Sequence, residues 1–280
     1  MGHGGLAGRV SDWLAPFLTK LGHKARRRTC PLYVVGLIGP GDRKSIGPMA
    51  EQVAPGDYDQ LHHFVSAGVW DEAPLERELA NQADRLVGGA DAFLVIDDTT
   101  LPKKGTHSVG VAPQYASALG KTANCQTLVS LTLARGEVPV MVGLRLFLPE
   151  SWTADQARLE RAGVPVEYRS ARAKSEIALA ELDRLIAAGV RFRAALADAG
   201  YGMSAEFRHA LSARGLAWAV GLPVTRRSIR AMSNSSSRSP RGVARASGMC
   251  PTPSPSAPKT CWRPTPNGAR SLGAKERRDR

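Results

Sequence analysis

Residues 93–105 read FLVIDDTTLPKKG. An apolar run ends in two adjacent aspartates, Asp97 and Asp98, and a lysine pair, Lys103 and Lys104, follows shortly after. A second apolar run, Phe192–Ala197, ends in Asp198. If the two runs are neighbouring strands, Asp98 and Asp198 reach the same edge of one sheet. Two carboxylates held there repel each other unless a cation lies between them. Hard oxygen donors in that arrangement suit Mg²⁺ or Mn²⁺. A pair of such ions about 3.5–4 Å apart activates a water or hydroxyl and stabilises the leaving oxygen of a phosphodiester. Lys103 and Lys104 would then face a phosphate backbone. The plainer reading is that an aspartate after a strand forms a turn or caps a helix.

The elements that must position these side chains are legible in the hydrophobic pattern. Phe93–Ile96 is wholly apolar, as a strand buried on both faces should be. Thr127–Ala134 alternates, and so does Val138–Leu148, with Val138, Val140, Val142, Leu144, Leu146 and Leu148 expected on one face. Residues 135–137 (RGE) read as a three-residue hairpin loop. Ser175 is a candidate cap for a helix with an Ala178, Leu182, Leu185, Ile186 stripe, closed by Gly189. Ser204 is a candidate cap for a helix through Phe207, Ala210 and Leu211, and Ala217–Leu222 is a last strand. Strand, hairpin and β-α-β units in that order predict an α/β fold with a mixed sheet and flanking helices. Upstream, the chain reads as helical. Pro74 suits a first helical turn, Leu75, Leu79, Ala83 and Leu86 recur at helical spacing, and Gly88-Gly89 ends the run. Segments 43–53 and 57–70 predict two further short helices. The basic cluster HKARRR at 23–28 is either a solvated helix end or a phosphate contact.

The chain is 43% hydrophobic over 280 residues, enough for one or two domains with a sizeable core. No apolar run approaches the roughly 18 residues of a membrane span, and the N-terminus lacks the long apolar region of a signal peptide. No membrane association and a cytoplasmic location are therefore expected. Cys30, Cys125, Cys250 and Cys261 form no C-x-x-C pair and complete no zinc spacing, so free thiols are expected. The net charge of +13 is uneven: residues 1–223 carry 25 Lys and Arg against 23 Asp and Glu, and residues 224–280 carry 13 against 2. That last segment turns to Arg, Ser, Pro and Gly without any period, so disorder is expected for it. Its composition also matches a high-GC reading frame translated out of register, which suggests a frameshift near codon 223.

Several stretches together carry a resemblance. They are the run from Phe93 through Ala134, LFLPESW at 146–152, ALADAGYG at 195–202 and GLAWAVGLP at 215–223. The chain resembles the IS701-type family of insertion-sequence transposases, DDE enzymes with an RNase H-like core, over roughly Arg43 to Pro223. The matching motifs are the Asp-Thr pair followed by lysines and Gly, SVGVAPQY at Ser108–Tyr115, and the turn at Leu148–Trp152. The resemblance implies an RNase H-like fold and DNA strand cleavage and transfer with Mg²⁺ or Mn²⁺. It implies DNA partners, namely the element's terminal repeats and a target, and a multimer on paired ends. It makes Asp98 the first catalytic and metal-binding aspartate, with Asp97 as the alternative, and Asp198 the second. It makes Lys103, Lys104 and Lys121 DNA contacts, and Trp152 and Tyr201 chiefly structural. The organisation expected is a helical region at 1–90 suited to DNA, a catalytic core at 91–223, and the basic tail at 224–280.

The family's third acid, a glutamate on a helix after the last strand, has no counterpart here. The only acids of the tail are Glu276 and Asp279, in a KERRDR setting. A core short of one metal ligand loses the anchor of the second ion. A catalytically weak or inactive chain is thus expected. Competing readings are a DNA-binding fragment that acts as an inhibitor, a pseudogene product, and a metal-dependent phosphohydrolase of small substrates. The last is disfavoured because Asp97 and Asp98 are adjacent and not spaced D-x-D.

Overall fold

Among the described residues, five helices precede the first strand: α1 (Leu6–Leu18), α2 (Lys24–Ile38), α3 (Ile46–Val53), α4 (Tyr58–Ser66) and α5 (Ala73–Val87). The structure, a computed structural model, describes residues 6–66 and 71–222. Met1–Arg226 forms one compact unit, to which all described residues belong. Pro74 lies in the first turn of α5 and Gly88 caps its end, as the spacing predicts. The expectations for residues 224–280 fall outside the described residues.

The strands are β1 (Phe93–Pro102), β2 (Ala112–Ala116), β3 (Lys121–Arg135), β4 (Val138–Phe147), β5 (Ala194–Ala197) and β6 (Trp218–Val220). They form one sheet in the order β2-β3-β1-β5-β6, with β4 alongside β3. β1 pairs antiparallel with β3 and parallel with β5, and β6 runs parallel to β5. Three antiparallel strands (β4, β3, β1) followed by two parallel ones (β5, β6), with β2 antiparallel to the start of β3, make an RNase H-like mixed sheet with flanking helices. The remaining helices are α6 (Glu150–Thr153), α7 (Gln156–Arg161), α8 (Lys174–Ala187), α9 (Ala199–Gly202) and α10 (Ala205–Ala213).

One face of the sheet carries the core. Leu94 and Ile96 of β1 lie opposite Leu133 and Leu131 of β3. Over them pack Ala80, Ala83 and Val87 of α5, Ala178, Leu182 and Leu185 of α8, and Phe207 and Leu211 of α10, all buried. The last helix of the upstream region thus belongs to the core of the sheet. Leu86 and Ile186, which helical spacing places on apolar stripes, are exposed instead.

Four local expectations need correction. β1 does not stop at Ile96; it runs on to Pro102 because β3 pairs with it that far. The polar residues Asp97–Thr100 therefore sit inside a strand. The β3–β4 loop is two residues long, Gly136 and Glu137, with Gly136 in the left-handed region at φ 59°. A register shift falls between Leu131 and Thr132, so that Leu131 faces Gly143 and Thr132 faces Met141. Val142 is the extra residue of a bulge, and one extra residue reverses the alternation beyond it. Leu144 is consequently exposed, and Arg145 takes the inward position. Finally, α8 starts at Lys174 after Ala173, and not at a Ser175 cap; the Glu176 carboxylate accepts the Ala173 N–H at 2.6 Å.

Candidate active site

β1 and β5 are parallel neighbours, and Ile96 pairs with Ala197. β5 ends there while β1 runs on to Pro102 beside β3, so the edge where the parallel pairing stops brings the residues after Ile96 and after Ala197 side by side. Asp98 is two residues past that pair on β1, and Asp198 one residue past it on β5. Both line one cavity of about 300 Å³, together with Lys174, Ser175, Tyr201 and Ser204.

Each carboxylate is held by named donors. The Asp98 side chain is 26% exposed. Its Oδ1 accepts the Tyr201 hydroxyl at 2.7 Å, and its Oδ2 lies 2.5 Å from Lys174 Nζ. Asp198 caps α9, where its Oδ1 accepts the Tyr201 N–H at 3.2 Å. Asp97 belongs to the opposite face: it pairs with Ser130, whereas Asp98 pairs with Val129 on the core face. The Asp97 Oδ1 accepts the Asp98 N–H at 2.7 Å. Burial, with the charge of Asp98 next, raises the Tyr201 phenol well above its ordinary value.

The lysines are not beside the carboxylates. At about 3.4 Å per strand residue, Lys103 is carried roughly 17 Å beyond Asp98. Lys103, Lys104 and Lys121 are exposed. Lys103 donates its N–H to Asn124 O at 2.9 Å, and Asn124 Nδ2 in turn donates to the carbonyls of Lys103 and Gly105. The lysines thus mark the far end of the β1–β3 ribbon, on the same side of the sheet as the carboxyl ends of β1 and β5. Trp152 is buried, donates to Val111 O at 2.8 Å, and is covered by the Arg158 guanidinium 3.6 Å from its ring centroid.

Sequence reasoning passed over Lys174. A usable signal existed: a lysine at the first residue of a helix opposes the helix dipole, so it calls for a compensating anion. Tyr201 had a signal too, three residues after a capping aspartate.

Two aspartates on one cavity, hard oxygens both, suit one divalent cation with water completing its shell. No group of three or more His, Cys, Asp or Glu side chains fit to hold a metal occurs among the described residues.

A family model described as DDE superfamily endonuclease matches residues 16–271. The chain belongs to the DDE superfamily endonucleases. Over 172 residues it is 30% identical to a probable transposase for insertion sequence element IS701 from Microchaete diplosiphon. That stretch is 61% of this chain and 42% of the relative, so the chain spans less than half of the relative's length. Among solved structures, the Drosophila P element transposase strand transfer complex aligns over 74% of this chain and 43% of its own, at 12% identity and a TM-score of 0.22. Cys30 and Cys125 of this DDE endonuclease are free thiols, and no helix among the described residues is long and apolar enough to cross a membrane.

Proposed function

We propose that the chain carries the catalytic core of an insertion-sequence transposase that cleaves and joins phosphodiester bonds at the ends of its element. The observation that carries this reading is the convergence of Asp98 and Asp198 on one cavity just past the last residues that pair the parallel neighbours β1 and β5. The likeness to an IS701 transposase supports the same substrate. Asp98 and Asp198 would hold a Mg²⁺ or Mn²⁺ ion, which supplies Lewis-acid polarisation of the scissile phosphate. The core face orientation of Asp98 favours it over Asp97 for that role.

The chain's own residues then have distinct tasks. Tyr201 fixes both carboxylates, one through its hydroxyl and one through its backbone N–H. The buried side chains of α5, α8 and α10 pack in one core with Leu94 and Ile96 of β1, the strand that carries Asp98. Lys103, Lys104 and Lys121, together with the basic start of α2, would contact backbone phosphates away from the reacting bond. Such contacts position the duplex and do not read its sequence.

A second reading rests on its own observation. Because no third acid joins the two aspartates among the described residues, this chain would bind element ends and cut them weakly or not at all. The deciding experiment is a cleavage and gel-shift assay with the 280-residue chain, Mg²⁺ or Mn²⁺, and duplexes bearing the element's terminal repeats. Binding with weak cleavage that Asp98→Asn and Asp198→Asn abolish is the expected result. Robust cleavage would overturn this second reading. Neither binding nor cleavage would overturn the transposase reading.

A further inference from the structure

Among the described residues, Lys174 is the only basic side chain lining the cavity that holds the two aspartates. Its position is electrostatically unusual. It is the first residue of α8, where unpaired N–H groups already place partial positive charge. The nearest acid in sequence, Glu176, is engaged with the Ala173 N–H and does not pair with it. The ammonium instead reaches Asp98 Oδ2 at 2.5 Å and lies 5.3 Å from the centroid of the Phe147 ring. With the Tyr201 hydroxyl on Oδ1, both oxygens of Asp98 have their donors.

An ammonium and a divalent cation on the same carboxylate repel each other, so each weakens the other's hold on Asp98. Lys174 has a way out: its side chain is 33% exposed and its flexible four-carbon stem starts at a helix end, not inside a packed face. Displaced from Asp98, it would still stand at the mouth of the same cavity with its charge unpaired. The natural partner there is a phosphate oxygen of the bound strand.

We propose that Lys174 is a counter-ion for Asp98 that yields to a divalent cation and then binds the nucleic-acid phosphate entering the site. This rests on the reading of Asp98 and Asp198 as cation ligands. It makes cation binding and DNA binding mutually reinforcing, since coupling between two ligands is reciprocal. Without a cation Lys174 is spent on Asp98; with one it is available to DNA.

The test uses the full 280-residue chain and two readouts. Mn²⁺ binding is followed by the electron paramagnetic resonance of the free ion. Binding of a fluorescent duplex is followed by anisotropy across a salt series, with and without Mn²⁺. Lys174→Met should bind Mn²⁺ on the order of tenfold more tightly, because a competing charge is gone. The same variant should lose the gain in DNA affinity that Mn²⁺ gives the wild type, and its salt slope with Mn²⁺ should fall by about 1, one phosphate contact fewer. Lys174→Arg, which keeps the competing charge, should keep wild-type Mn²⁺ affinity. If Lys174→Met does not fold, as judged by circular dichroism, Lys174→Gln carries the same expectations. Equal Mn²⁺ affinity in wild type and Lys174→Met, with binding lost in Asp98→Asn, would reduce Lys174 to a structural ion pair and leave the carboxylate reading intact. No Mn²⁺ binding by any form would overturn the carboxylate reading, and this proposal with it.

Discussion

Tyr201 bridges the two aspartates, with its backbone on Asp198 and its hydroxyl on Asp98. Its phenol also packs near Phe207, at a ring-centroid separation of 5.5 Å. Burial and the neighbouring carboxylate charge hold the phenol protonated far into alkali. In the unfolded chain the phenol would titrate at its ordinary value of 10.0. Above that pH the unfolded state releases a proton that the folded state keeps, so stability falls as pH rises. Below it, this group adds no slope. Tyr201→Phe should therefore flatten the loss of stability above pH 10, measured by urea midpoints from pH 8 to 11.5 against the wild type. Parallel curves for the two proteins would show that the phenol ionises freely in the fold. The aspartates themselves were legible in the sequence, because each follows an apolar run. Lys174 was not. It approaches Asp98 across 76 residues of chain, and its clash with the helix dipole becomes informative only once α8 is known to start there.

Strand and helix positions follow from periodicity, and most of them could be read in advance. Val138–Phe147 shows where periodicity fails: the bulge at Val142 reverses the alternation, which no pattern of apolar residues announces. The reversal has an energetic consequence. Arg145 turns inward and binds Glu76 of α5 at 2.6 Å and Glu181 of α8 at 2.7 Å. The hydrogen bonds from Arg145 lower the Glu76 carboxyl below its usual range. The turn that presents Asp198 is tighter still. A Cβ on Gly202 would stand 1.9 Å from Gly221 O, and one on Gly221 would stand 2.7 Å from Ala199 N. By contrast, a Cβ on Gly200 would meet nothing closer than Asp198 Oδ1 at 3.2 Å. The Gly221 N–H donates to Ala197 O at 2.9 Å, which fixes α9 against the strand ends. Gly202→Ala must push backbone from backbone and should cost about 3 kcal/mol or more, above the usual overpacking range. Gly200→Ala should cost about 1 kcal/mol or less, since only a side-chain oxygen must shift. Urea denaturation of both variants checks this. Equal midpoints would mean that the α9 turn relaxes freely, and the precise placement of Asp198 would lose its support.

Across the whole chain, charge and chemistry are separated. The two aspartates and the sheet that carries them lie in residues 1–223, which hold 25 basic against 23 acidic residues. The segment 224–280 holds 13 against 2. A nearly neutral body has few phosphate contacts to offer: the basic start of α2, the β1–β3 ribbon end, and Lys174 once a cation has displaced it. Each phosphate contact releases condensed counter-ions and adds roughly 0.9 to the salt slope of binding. The tail can supply many such contacts without any sequence readout. Removing residues 224–280 should thus flatten the slope for a random duplex by about 4 or more, if at least five of the tail's cations meet phosphates. Any preference for terminal-repeat DNA should survive the deletion if, as proposed, residues 1–223 carry the element-binding core. Anisotropy titrations of both chains between low and moderate salt, with terminal-repeat and random duplexes, separate the two contributions. An unchanged slope would place the phosphate contacts in the body, and the unequal charge of the two segments would then have no bearing on the proposed DNA binding.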